Sequence, residues 1–161
     1  MEHVYWVWND LLAGRSGPTR APWNAQTLYA GGIRAVVSLA QEVNVEDLTA
    51  YGILHYRGEF PPLSLFSEGM RKAFIYMALP VWRFIDTQVT AGKPTLVHCF
   101  AGQDRTGVIL SGYLVTYQGL DPEKAIAQVR AVNPLVMREE GYEATVHLLS
   151  PNKLPDPRTL L

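Results

Sequence analysis

Pro94-Thr95-Leu96-Val97-His98-Cys99-Phe100-Ala101-Gly102-Gln103-Asp104-Arg105-Thr106-Gly107 is the stretch on which the reading of this chain turns. Thr95 to Val97 is a short apolar run of strand type, and from Gly107 to Gln118 the chain is apolar over a helical length. A polar, glycine-containing loop joins the two. A strand turning sharply into a helix aims free backbone N–H groups at one point, and the helix dipole adds partial positive charge there. Such a turn binds anions. The only cysteine of the chain, Cys99, stands at its mouth and is the candidate nucleophile.

The neighbouring residues suit that chemistry. A helix N-terminus beside an arginine favours the thiolate, which is the reactive form of cysteine. Arg105 offers a planar fork that matches two oxygens of a phosphate and stays charged at any relevant pH, a geometry lysine lacks. Gly102 lets the backbone curl around an oxyanion, by adopting a positive φ or by clearing the approach path. The Thr106 hydroxyl is placed to hydrogen-bond the sulfur and to stabilise it as a leaving group. His98 is expected to bond the local backbone and hold the turn. The bland alternative is a buried, inert cysteine acting as a small hydrophobe.

His98, Cys99, five residues, Arg105, Thr106 and Gly107 together resemble the phosphate loop of the cysteine-dependent protein tyrosine and dual-specificity phosphatases. Rhodanese-type sulfurtransferases are the nearest competitors, but their loops usually differ in length and lack the Arg-Thr-Gly ending. The early Leu12-Ala13-Gly14 and the run Gly32 to Leu39 also resemble that family upstream of its loop, so the likeness extends over about residues 4 to 149. It implies a phosphotyrosine-phosphatase-like fold and hydrolysis of phosphotyrosine through a cysteinyl-phosphate, with phosphoserine and phosphothreonine as further substrates. The loop residues Phe100, Ala101, Gly102, Gln103, Asp104 and Arg105 would bind the phosphoryl group, and a phosphorylated protein or peptide would be the partner. A phosphoinositide or small-molecule phosphatase, or a silent phosphate-binding module, is the alternative.

The thiolate reaction needs an acid for the departing oxygen and a base for the incoming water, and one carboxyl can serve both steps. Two residues compete for this role. Glu59, in Arg57-Gly58-Glu59-Phe60-Pro61-Pro62, occupies the place where the resembling family usually carries an aspartate on a mobile loop. Asp104 precedes the phosphate-binding arginine directly, as in myotubularin lipid phosphatases and certain bacterial tyrosine and phosphoinositide phosphatases; here Gln103 replaces the lysine of the bacterial loops. Proximity ranks Asp104 slightly first. A salt bridge for Asp104, or a solvated loop charge for Glu59, is the plainer reading of each.

With 161 residues, 18% of them charged, and a formal net charge of −1, the chain fits one domain with no global field for nucleic acid. A single cysteine excludes an internal disulfide and suits a reducing cytoplasmic setting. No membrane-spanning apolar run, signal pattern or metal-binding spacing is present, no cofactor is implied, and a monomer is expected.

Along the chain, strands are expected at Val4–Trp8, Leu11–Ala13, Ile33–Leu39 and Ile53–Arg57, and helices at Trp23–Ala30 and Val45–Tyr51. A long helix follows from Ser67 or Glu68 to about Thr90, with Pro80 expected to kink it. After the central helix, Asp121 and Pro122 open a helix through Arg130, and a last one is expected from Arg138 to Leu149. Three tryptophans, Trp6, Trp8 and Trp23, are expected to pack. The alternation implies an α/β fold with a mostly parallel central sheet flanked by helices. Residues 1–149 read as one catalytic domain and Ser150 to Leu161 as a proline-containing mobile tail.

Overall fold

A computed structural model describes residues 1–161. Five strands, β1 (Tyr5–Trp8), β2 (Leu12–Arg15), β3 (Ala35–Ala40), β4 (Leu54–Phe60) and β5 (Thr95–His98), form one sheet in the order β1-β2-β5-β3-β4. β1 pairs antiparallel to β2, and every other pairing is parallel. The helices are α1 (Ala25–Ala30), α2 (Glu68–Thr90), α3 (Asp104–Thr116), α4 (Pro122–Val132) and α5 (Tyr142–Val146). This is the mostly parallel, helix-flanked sheet that the sequence implies.

Side-chain alternation explains the unbroken apolar look of the central strands. Leu96 of β5 and Val36 of β3 point into a small core shared with Leu28 of α1 and with Ile33, Leu48 and Ile53. Their neighbours Val97 and Val37 point into the main core under α2 to α5. Both faces are covered, as parallel sheets require. α3 is buried on nearly all sides. Trp82 of α2 lies against Gly112, where a Cβ would sit 2.2 Å from the indole, and donates Nε1–H to the Ile109 carbonyl at 2.9 Å.

Side-chain caps set three helix starts: Asn24 accepts from the amides of Gln26 and Thr27, Ser67 from Met70, and Asp121 from Lys124. α2 continues through Pro80. No helix is long and apolar enough to cross a membrane.

Several expectations are corrected. The helix expected over Val45–Tyr51 is a single 3-10 turn at Thr49–Tyr51, because the Asp47 carboxylate captures the Thr49 amide and hydroxyl locally. β4 runs on through Gly58 and Glu59 to Phe60. The last helix shrinks to Tyr142–Val146, since Glu140 lends its carbonyl to the Leu65 amide and Gly141 sits at φ 88°, where a Cβ would collide with the Leu65 carbonyl oxygen. Residues 150–161 are docked. The Asn152 amide bonds to the Val115 carbonyl, a 3-10 turn follows at Pro157–Thr159, and Leu160 is 8% exposed within the main core.

Candidate active site

β5 lies between β2 and β3, with His98 level with Arg15 on one side and Ser38 on the other. The carboxyl ends of all three strands therefore open on one edge, where ligands collect in such sheets. The loop from Cys99 to Gln103 leaves that edge and enters α3.

The loop carbonyls are tied down on its outer side. Cys99 O accepts from His98 Nδ1 at 3.0 Å, Phe100 O from the Gly17 amide at 2.9 Å, and Gly102 O from the Tyr5 hydroxyl. Gln103 O accepts from the amides of Gly107 and Met137. The amides of Phe100 to Gln103 have no protein acceptor, and no side chain caps α3. Those N–H groups are free for an anion. Gly102 uses both freedoms expected of it: φ is +71°, and a Cβ would meet the Arg15 carbonyl oxygen at 2.3 Å. Gly17 is equally constrained, 2.3 Å from the Cys99 oxygen by the same measure.

Cys99 is a free, buried thiol whose sulfur accepts a hydrogen bond from Thr106 Oγ1 at 3.0 Å. Arg105 extends from the first turn of α3. Its Nη1 and Nη2 meet Glu42 Oε1 and Oε2 at 2.7 and 2.8 Å, and Nη1 also donates to Phe60 O at 2.9 Å. The end of the guanidinium is thus occupied, while the Nε–Nη2 edge keeps two parallel donors for a ligand. Hydrogen bonding from Arg105 holds the Glu42 carboxyl below its usual range.

Behind Cys99, the buried His98 and the half-buried His55 are linked through Ser38. Because Cys99 O can only accept, His98 carries its proton on Nδ1. Its Nε2 then accepts from Ser38 Oγ at 2.6 Å, and Ser38 Oγ accepts from His55 Nε2 at 2.7 Å. Burial pushes His98 down to about 4, and Trp23 packs edge-on against it. His98 is a neutral scaffold.

A cavity of about 430 Å³ opens above the loop. Cys99, Phe100, Ala101, Asp104 and Arg105 form its floor, and Pro62, Leu63, Ser64 and Tyr142 one wall, with Glu42 and Glu139 completing it. The wall is held in place: Tyr142, its hydroxyl pushed up to about 12 by burial, donates to Leu63 O. Ser64 Oγ donates to Glu139 Oε1 at 2.6 Å, and Arg71 binds the carbonyls of Leu65 and Phe66.

The sequence profile of the dual specificity phosphatase catalytic domain matches residues 25–150. The chain belongs to this family. The phosphatidylglycerophosphate phosphatase PTPMT1 of Arabidopsis thaliana is 41% identical over 54 residues, which is 34% of this chain and 16% of that protein. The match thus spans less than a fifth of that relative. Human DUSP28 superimposes with a TM-score of 0.75 at 18% identity, covering 92% of this chain and 93% of that one. PTPMT1 in complex with PI(5)P superimposes with a TM-score of 0.72 at 14% identity, over 91% and 94% of the two chains.

Among the residues singled out from sequence, Cys99, Phe100, Ala101, Asp104 and Arg105 meet at the cavity, and Thr106 bonds the sulfur from beneath. Gly102 and Gln103 contribute backbone and do not line it. Glu59 does not reach it either. It is an exposed residue of β4 one position from the inward-facing Phe60, so strand alternation turns it away. Asp86 of α2 accepts from the Tyr113 hydroxyl at 3.0 Å. Glu42, Glu139 and Tyr142 escaped the sequence reading. The one available signal was for Glu42, a carboxylate two residues past a strand's carboxyl end.

Proposed function

We propose that the protein hydrolyses phosphomonoesters through a cysteinyl-phosphate, with phosphotyrosine in proteins as its main target and phosphoserine and phosphothreonine as further ones. The observation that carries this reading is that Cys99, Arg105 and the loop residues Phe100 and Ala101, whose amides have no protein acceptor, share one cavity floor. The amides and Arg105 bind the phosphoryl oxygens and gain strength as charge builds on them. The Cys99 sulfur attacks phosphorus, the ester P–O bond breaks, and the Asp104 carboxyl gives its proton to the departing oxygen. Water then attacks phosphorus as Asp104 takes a proton back, the P–S bond breaks, and the Thr106 hydroxyl stabilises the released thiolate.

The apolar wall of Pro62, Leu63 and Tyr142, facing Phe100, suits an aryl ester. A lipid substrate is the second reading, favoured by the name of the Arabidopsis relative and by the PI(5)P complex of PTPMT1. The carboxylates of Glu42, Asp104 and Glu139 on the cavity argue against a headgroup with several phosphates. A cytoplasmic, monomeric enzyme is part of the proposal. Turnover of p-nitrophenyl phosphate tests it: Cys99→Ser should abolish hydrolysis while retaining phosphate binding, and Arg105→Lys should lose most activity. If the unmodified protein turns over no aryl phosphate, the chain is a phosphate-binding module.

A further inference from the structure

Next to the catalytic cavity lies a second, smaller groove of about 160 Å³. Phe60, Leu63 and Leu65 form one side of it, and Met70, Phe74 and Met77 of α2 the other. None of its lining side chains carries a charge or a hydrogen-bonding group. Leu63 is common to both depressions, so the groove begins where the catalytic cavity ends. Two of its residues are exposed, Leu63 at 52% and Met77 at 38%. Contiguous exposed apolar surface at the rim of a polar site marks a place where something docks, and methionines make adaptable contacts for varied side chains. The bonds from Tyr142 and Arg71 to Leu63 O and Leu65 O hold this side of the groove in place before any ligand arrives.

We propose that this groove is a specificity subsite that takes one apolar side chain, leucine-sized or aromatic, close in sequence to the phosphorylated residue of a peptide substrate. The proposal rests on the phosphatase reading of the adjoining cavity. Size favours a side chain over a lipid tail: a cavity of about 150 Å³ holds one benzene ring, far less than an acyl chain needs. Charge agrees, since Asp104 and Glu139 on the neighbouring cavity repel a headgroup with several phosphates more than a peptide with one.

The test uses phosphotyrosine heptapeptides with alanine at all flanking positions, into which one leucine or phenylalanine is walked through the three positions on either side. At one of these positions kcat/KM should rise about ten- to hundredfold, the range expected for burying one such side chain. Ala73→Glu and Met77→Glu place a charge in the groove from exposed positions on α2. Each should remove the gain while leaving p-nitrophenyl phosphate turnover within twofold of the unmodified protein. A flat response across the walk overturns the proposal, and so does a gain that survives in both variants. Faster turnover of a monophosphorylated phosphoinositide in phosphatidylcholine vesicles, sensitive to the same two substitutions, would assign the groove to an acyl chain instead. Should the unmodified protein turn over neither aryl phosphate nor peptide, the phosphatase reading fails separately. Peptide affinities measured on Cys99→Ser then still decide whether the groove selects apolar flanks.

Discussion

The guanidinium of Arg105 and the carboxylate of Glu42 meet through two parallel hydrogen bonds of 2.7 and 2.8 Å, joining the first turn of α3 to the loop after β3. The pair fixes which edge of the arginine faces the cavity. It also puts a negative charge beside the proposed phosphate site, where Glu42 would oppose ligand affinity while it orients the fork. Glu42→Gln should therefore lower kcat by about tenfold or more, as misorientation costs rate, and should tighten inhibition by inorganic phosphate. Steady-state kinetics with phosphate as competitor checks this, and a loss of phosphate affinity would contradict it. The stability cost should be about 1 kcal/mol, because Glu42 is partly solvated.

Asp104 lines the cavity and Glu59 does not. Asp104→Asn should cost about 10²–10⁴-fold on an alkyl phosphate, the usual worth of general acid catalysis, and much less on p-nitrophenyl phosphate, whose leaving group needs no proton. Glu59→Gln should match the unmodified enzyme on both. Glu139 is the control, since it shares the cavity and is held by Ser64. If Glu139→Gln rather than Asp104→Asn loses the alkyl substrate, the acid has been misassigned.

The contrast between Cys99 and Glu42 shows what a sequence can carry. Cys99, Gly102, Arg105 and Thr106 act within one strand-to-helix turn, so their spacing alone describes the site. Glu42 reaches Arg105 across 63 residues, and only because β3 lies beside β5. Apolar periodicity predicts strands but says nothing of their order. Glu59 stands off the cavity because β4 continues past Arg57 to Phe60, and its place within a strand, not a loop, decides which face its side chain takes. Prolines and weak periodicity in the tail hide its anchors, the Asn152 amide on the Val115 carbonyl and Leu160 in the main core.

Thr106 is completely buried, and its hydroxyl points at the Cys99 sulfur. A hydrogen bond to sulfur helps most when the thiolate leaves from phosphorus, in the second step. Thr106→Val keeps the shape and removes the donor. With p-nitrophenyl phosphate, rapid-mixing experiments should then show a burst of about one equivalent of nitrophenol followed by turnover about ten- to hundredfold slower than that of the unmodified enzyme. A slowed burst, with no accumulation of phosphoenzyme, would place the Thr106 contribution in the first step.

His98 makes the stability of the fold depend on pH. In the unfolded chain its imidazole takes up a proton near 6.5, whereas in the folded protein burial holds this off until about 4. A proton on Nε2 would also destroy the acceptor that Ser38 uses. Between these two values the unfolded state binds more protons, so stability is fully present above pH 6.5 and drains away as pH falls toward 4. A drop of this size, at about 1.4 kcal/mol per pH unit, amounts to about 3 kcal/mol. The lowered His55 contributes with the same sign. Urea unfolding at pH 7.5, 6.5, 5.5 and 4.5 should show this loss. His98→Asn retains a donor for the Cys99 carbonyl but cannot titrate; it should be less stable at pH 7.5 and flatter below 6.5. Equal slopes for the two proteins would mean that His98 is not the group that titrates.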